Sequence, residues 1–479
     1  MTDPCMDLSA VIPEMILAGL TLVLVPLAGW ARGAWRSVPA IVALIGLLAA
    51  MATTAPMLLS APHDAFCGTY AVDPFRAFYQ LVVELGGALT VLALASHFRR
   101  TIQEPHAPTL ILFATIGGMG LVAATDLGLI VLFLQMVSVP SYLLVLLVRS
   151  DERAQEGALK YFIYGAAALA VMAYGLTFLF GLTGSLNLSA IRAGLKHADA
   201  AWIALALGLV LVGYCFEMTL APFHVWAPDA LQGASAPVSG FVSVVPKVAA
   251  FAGLLRFLIE AMPRGVVDWP VVLAIVAAAS MTFGNLVALR QSSLKRLLAY
   301  SSIAQAGYIL MAVVVAERTP TALPAVGYYL LAYLFMNLGA FIVVAQIERM
   351  LGREGFDTTR GLGRRAPWLA AALTVALLSL AGIPPLAGFA GKVFLLIAAI
   401  DGGFAWLAVI AAVNMAVALY YYVAILAEMY FYESDERDGV AIGVGYTLAV
   451  GLCTLGTVAL GAAPYLGVSL ARLGSTLLR

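Results

Sequence analysis

Apolar runs long enough to cross a bilayer recur from one end of this chain to the other, and that repetition leaves few folds open. Fourteen of them lie near residues 9–30, 38–60, 75–98, 107–125, 127–148, 157–182, 200–222, 237–262, 269–289, 296–316, 323–347, 367–400, 404–431 and 440–465. A spanning helix needs about 20 apolar residues. Inside lipid the backbone must satisfy its own polar groups, so such runs form helices. Composition agrees. The chain is 63% hydrophobic and 11% charged, whereas a soluble domain carries about 25% charged residues. The expected fold is an all-α membrane protein of about fourteen transmembrane helices, a single polytopic domain over residues 1–479.

Two runs are interrupted at comparable places, by Ala221-Pro222 in the seventh and by Ile383-Pro384-Pro385 in the twelfth. The run at 367–400 is too long for one straight helix and is expected to break at the prolines. Paired broken helices point to two inverted five-helix repeats with sites at mid-membrane; the plainer alternative is that proline kinks are common in membrane helices. The division that follows is N-terminal helices over 1–106, a first repeat over 107–262, a second over 269–431, and a C-terminal helix and tail over 440–479.

Loop charges set the orientation. Loops after odd-numbered helices hold Arg32, Arg36, Arg99, Arg100, Arg149, Arg153, Arg290, Lys295, Arg296, Arg349, Arg353, Arg360, Arg364 and Arg365. The other side holds Arg192, Lys196, Arg264, Arg318, Arg472 and Arg479. By the positive-inside rule the first set is cytoplasmic, which predicts the cell inner (plasma) membrane with both termini periplasmic. The acidic start MTDPCMDLSA lacks the basic region of a signal peptide, so it is expected to be retained. Cys5 and Cys67 then share the oxidising side and can pair, or remain two free thiols.

Several function classes are disfavoured. The formal net charge is zero with no basic patch, so no nucleic-acid partner is expected. Cysteines show no CxxC spacing, histidines no HExxH, and the chain has neither a dinucleotide fingerprint nor a P-loop. No cofactor and no metal is expected in this chain.

Ionisable groups at bilayer depth cost at least ~2.5–3.5 kcal/mol each on insertion scales. Those that persist have a partner, water or a task. Lys247 directly follows Pro246 in the eighth run, and Lys392 lies seven residues after Pro385 in the twelfth. A lysine out of water is suited to loading and releasing protons, and prolines free carbonyls that can hold its ammonium. The alternative, a snorkelling lysine or one that neutralises a carboxylate, is hard to meet from mid-helix. Glu217, five residues before Pro222, can carry a proton or form a structural pair with Lys247. His224, just past the break, can pass protons between half-channels or bond a carbonyl. Arg256 and Glu260 are expected to pair with each other. Lys160 reads as a helix-end anchor, and Glu84 has no evident partner. Gly86-Gly87 and Gly117-Gly118 read as close helix packing. Tyr420, Tyr421 and Tyr422 read as a stacked, half-buried aromatic face before a polar path.

Long strings then carry a resemblance. "ALKYFIYGAAALAVMAYGLTFLFGLTGSLNL" at 158–188, "APFHVWAPDALQGASAPVSGFVSVVPKVAAF" at 221–251, "LKRLLAYSSIAQAGYILM" at 294–311, "YYLLAYLFMNLGAF" at 328–341 and "SLAGIPPLAGFAGKVFLL" at 379–396 are similar to subunit N of complex I, the proton-pumping NADH:quinone oxidoreductase. The resemblance implies an antiporter-like, proton-translocating membrane subunit. Its partners would be the other membrane and peripheral subunits of the complex, together with lipids, and FMN, iron–sulfur clusters and quinone would be held by those subunits. In the family the eighth-helix lysine, matched by Lys247, is the central relay, and the twelfth-helix lysine, matched by Lys392, faces the exit. Two positions depart from the pattern. Gln135 stands before Pro140 where the family has glutamate, and Glu217 stands where it has lysine. Either Glu217 pairs with Lys247 and the relay is rewired, or the first half-channel has decayed and the subunit is scaffold. Other readings are a subunit of a multisubunit cation/proton antiporter and a membrane arm attached to a hydrogenase.

Overall fold

The computed structural model describes residues 5, 7–31, 33–97, 105–147, 151–433 and 443–477. Helices lie over the apolar runs: α1 (Ile12–Trp30), α2 (Val38–Thr54), α3 (Pro74–His97), α4 (Ala107–Ala123), α5 (Leu127–Val145), α6 (Glu152–Thr183), α7 (Leu188–Leu195), α8 (Ala200–Glu217), α9 (Ala227–Gly233), α10 (Ala236–Ala261), α11 (Trp269–Ala288), α12 (Leu294–Val313), α13 (Ala322–Leu351), α14 (Leu362–Arg365), α15 (Pro367–Ala381), α16 (Ala387–Asp401), α17 (Ala405–Phe431), α18 (Val444–Ala462) and α19 (Pro464–Leu473). Strands β1 (His63–Ala65) and β2 (Tyr70–Val72) pair as a small antiparallel hairpin. Among the described residues, eleven helices are long and apolar enough to cross a membrane, and α4 and α15 are shorter apolar helices. α12 is twenty residues long but less apolar, and most of its residues are buried inside the bundle.

Local chemistry sets the helix ends. Asp126, Asp151 and Asp199 accept backbone N–H bonds from the first turns of α5, α6 and α8, satisfying donors that helices leave free. Gly184, Gly352 and Gly382 close α6, α13 and α15 in the left-handed conformation, which glycine adopts without a Cβ clash. The two expected breaks are present. α8 stops at Glu217 and the chain turns through Ala221-Pro222 before α9, and Gly382–Leu386 separates α15 from α16. Both Ala221-Pro222 and Pro384-Pro385 are cis.

The helix ends fall into two groups. At one end Tyr70 bridges Ala124, Asp126 bridges Asn187, and Glu317 joins Arg192 and Arg264. At the other, Asp229 joins Lys160 and Arg296, Lys295 meets Glu348, and Arg360 meets Glu428. The described arginines and lysines of the expected cytoplasmic set gather at this second end. Arg32, Arg99, Arg100, Arg149 and Arg479 lie outside the described residues. Cys5 and Cys67 are joined in a disulfide at the first end, so the pairing reading holds there, while Cys215 and Cys453 are buried free thiols. The glycine pairs do serve close packing: a Cβ on Gly117 would meet the Met136 carbonyl carbon of α5 at 2.5 Å, and one on Gly86 would meet Val245 of α10 at 2.5 Å.

Candidate functional site

The site is built around α12, which lies between α10 and α16 with its polar residues turned both ways. Lys247, 1% exposed, projects from α10 to α12. Its Nζ donates to the Ser302 carbonyl at 2.9 Å and to the Ser302 hydroxyl at 2.5 Å, and sits 5.5 Å from the centre of the Tyr333 ring. Tyr333 also donates to the Ser302 hydroxyl, at 2.8 Å. Lys392, 2% exposed, folds back from α16 over the break. Its Nζ donates to the carbonyls of Leu380 (2.7 Å) and Ala381 (3.0 Å), at the open end of α15, and lies 4.9 Å from the Tyr308 ring centre. The expectation that a broken helix supplies carbonyls to an ammonium therefore holds for Lys392. For Lys247 the carbonyl comes from α12, not from its own proline.

A polar thread joins the two lysines. Gln305, a turn beyond Ser302, donates to the same Leu380 carbonyl that Lys392 uses, at 3.1 Å, and to the Tyr422 hydroxyl at 3.4 Å. Tyr329 donates to its side-chain oxygen. Tyr422 in turn bonds Ser301, the residue next to Ser302. The two arms thus meet on consecutive residues of α12. Asn285 extends the network, donating to Tyr308 and accepting from Tyr421. The expected half-buried aromatic face is corrected here: Tyr421 and Tyr422 are buried and hydrogen-bonded, and only Tyr420 is exposed. Their rings bury the polar groups because α17 packs against both α11 and α15.

Glu217 does not pair with Lys247, and that expectation is also corrected. As the last residue of α8, it turns to α5, where the Ser138 hydroxyl donates to Oε2 at 2.9 Å. Oε1 has no partner among the described residues. Lys247 leaves α10 in the direction of α12, so each group spends its hydrogen bonds on a different neighbour. Ser138 stands one turn beyond Gln135 on α5. His224 is buried in the break, 4.6 Å from the Phe283 ring of α11, with Nδ1 unpartnered among the described residues. Lys160 is more than a helix-end anchor, since it bonds Asp229 and Glu156 at 2.6 Å each. Arg256 and Glu260 do pair, at 2.8 Å, and Arg256 also forks onto Asp73. Glu84 has a partner that the sequence did not reveal, the Thr54 hydroxyl of α2.

Sequence reasoning brought out both lysines but missed Ser302, Gln305, Tyr329 and Tyr333. A signal was present: Ser301, Ser302 and Gln305 stand inside a run long enough to span, where polar groups persist only with partners. The break that exposes the Leu380 carbonyl also sets a tight packing limit. A Cβ on Gly388 would lie 1.9 Å from the Ser379 carbonyl oxygen, a backbone atom that cannot swing away. Gly388→Ala is expected to destabilise the protein by at least ~1–3 kcal/mol, read as a lowered thermal midpoint of the purified assembly.

Comparison with known proteins places this geometry among relatives. Residues 124–418 match the family model described as NADH:quinone oxidoreductase/Mrp antiporter, TM. The chain is 38% identical over 452 residues to NADH-quinone oxidoreductase subunit N 2 of Chloroherpeton thalassium, covering 91% of this chain and 88% of that protein. It is similar to a chain in the structure of respiratory complex I from Thermus thermophilus with bound aureothin, at 36% identity and a TM-score of 0.82, covering 96% of this chain and all of that one. A chain of the Mrp complex from Dietzia sp. shares the fold, with a TM-score of 0.86 at 22% identity over 98% of this chain and 97% of that one.

Proposed function

The chain belongs to the subunit N family of NADH-quinone oxidoreductases, and from that membership we propose that it translocates protons in the membrane arm of such a complex, driven by NADH oxidation and quinone reduction in other subunits. Lys247 is the central relay and Lys392 the relay toward the exit. Glu217, at the end of α8, is the loading carboxyl, and His224, in the break that follows, passes the proton between the half-channels. FMN, the iron–sulfur clusters and the quinone belong to partner subunits. The chain crosses the inner membrane fourteen times, with α8–α9 and α15–α16 as equivalent broken helices of two inverted five-helix repeats. The basic end of the bundle faces the cytoplasm, and both termini lie on the periplasmic side.

The observation that carries this reading is the thread from Lys247 through α12 to Lys392. Both ammonium groups rest on neutral oxygens and a ring face, and among the described residues neither has a carboxylate within salt-bridge range. A fixed counter-charge would hold a proton in place. Neutral partners leave each lysine responsive to charge arriving nearby, because Coulomb interactions are strong out of water. Hydroxyls and a carboxamide between them offer positions through which a proton can be handed on.

One observation favours the scaffold reading instead. Gln135 carries no charge and Glu217 does not touch Lys247, so the input side is altered from the family pattern. Proton uptake into inverted membrane vesicles, driven by NADH at matched electron flux, separates the two. Glu217→Ala is expected to lower the ratio of protons moved to electrons transferred. An unchanged ratio in an assembled complex makes Glu217 structural and gives the scaffold reading the advantage.

A further inference from the structure

A second polar line runs through the membrane, apart from the lysine thread. Asp73, just before α3, and Arg76, Gln80 and Glu84 within it follow one another at three- and four-residue spacing, so they line one side of α3. None is more than 1% exposed. Glu84 lies ten residues into α3, about 15 Å from its start. Its depth is that of Lys247, because Gly86 abuts Val245 of α10, and Val83 and Ala249 both pack against Gly118.

The line is hydrogen-bonded from the outside inward. At the end of the bundle that carries the β-hairpin, Glu260 lines a cavity of about 580 Å³ together with Asp64 and Arg264. Glu260 accepts from Arg256, which donates through two nitrogens to Asp73. Asp73 accepts from the Arg76 backbone, the Arg76 side chain donates to Glu14 of α1 at 3.1 Å, and Gln80 donates to Glu14 at 2.7 Å. There the chain of bonds stops, one turn short of Glu84. Nε and Nη1 of Arg76 are without partners among the described residues, and so, at the inner end, are two oxygens, Oε1 of Gln80 and Oε2 of Glu84. Both are acceptors when Glu84 is ionised. A proton on Oε2 turns it into a donor, with the Gln80 oxygen as an acceptor one turn away, directly or through one water.

We propose that Glu84 is a second intramembrane proton-binding site, separate from the Lys247–Lys392 thread and loaded from the hairpin-end cavity, with the proton passing through water between the Glu260, Asp73 and Glu14 carboxylates and the Gln80 carboxamide while Arg256 and Arg76, which do not release protons, hold those carboxylates in line. The charged groups acting on it are Glu14 of α1 and Arg76 of α3. α2 offers the Thr54 hydroxyl, which donates to Oε1 at 2.8 Å. Thr115 of α4 packs beside Gly87. Lys247 of α10 turns away to Ser302, Tyr333 of α13 bonds Ser302 and Ser243, and Cys453 of α18 packs on Gly339.

The test uses the intact complex in vesicles, with pH set independently on each side and the carboxylic-acid C=O infrared band recorded after a pH jump. A jump on the hairpin-end side alone is expected to change a buried carboxylic-acid band. That band is absent in Glu84→Gln, persists in Lys247→Arg, and responds several-fold more slowly in Gln80→Leu. A band that answers neither side describes a permanently neutral acid held by Thr54 and overturns the proposal. So does a band that follows the opposite side, or one that survives in Glu84→Gln. If Glu84→Gln does not assemble, the Gln80→Leu rate decides, and an unchanged rate overturns it.

Discussion

Lys247→Arg is expected to abolish this subunit's share of proton movement while the complex remains assembled. Arginine keeps a positive charge for the Ser302 oxygens and the Tyr333 ring, so the electrostatic setting of α10 against α12 is largely preserved. It does not release its proton at any working pH, so a relay through this position stops. Lys247→Met removes the charge as well and is expected to give the same loss, with the Tyr333 hydroxyl still bonded to Ser302. The measurement is the ratio of protons moved to electrons transferred in inverted vesicles, alongside NADH oxidation with the proton gradient collapsed. If Lys247→Arg pumps at the wild-type ratio, the lysine serves charge and packing alone, and the lysine thread loses its central member.

Arg256→Met is expected to be the most destabilising single substitution in the bundle. Arg256 is fully buried and Asp73 is 1% exposed, and the guanidinium forks onto both carboxylate oxygens at 2.9 and 3.0 Å while also holding Glu260. Removing one partner leaves buried carboxylates without their counter-charge, a change that costs about 3–5 kcal/mol. The double variant Arg256→Met with Asp73→Asn removes one charge of each sign and is expected to be milder. Thermal midpoints of the purified complex and its yield from membranes provide the comparison. A single variant no worse than the double would show that the pair contributes little and that hydrophobic packing alone holds α3 to α10.

The helices were legible in advance because their signal is local. About twenty apolar residues in a row form a helix in lipid whatever surrounds them, and the breaks at Pro222 and Pro384-Pro385 follow from missing N–H groups. Lys247 and Lys392 were legible for a similar reason, since a charge in such a run stands out in one dimension. Their partners were not. Whether Glu217 meets Lys247 or Ser138 depends on the direction in which the end of α8 points, and that follows from how α8 packs, chiefly against α6. Tyr421 and Tyr422 were read as an aromatic face because adjacent tyrosines look alike in a string, whereas packing against Asn285, Ser301 and Gln305 made them part of a polar network.

The α3 line marks the same boundary. Asp73, Arg76, Gln80 and Glu84 stand at helical spacing in the string, yet Glu14, which bonds Arg76 and Gln80, and Arg256, which connects Asp73 to the cavity through Glu260, are 59 residues before and 183 residues after Asp73 in the chain. The sequence by itself determined a helical membrane bundle, the position of its breaks, the family and the depth of its charges. Each of these follows from hydrophobic length, proline chemistry or a continuous string. Only the tertiary structure decided which oxygen each buried charge rests on. Hydrogen bonds reach about 3 Å, and which helices come that close is a property of the packed bundle and not of any single run.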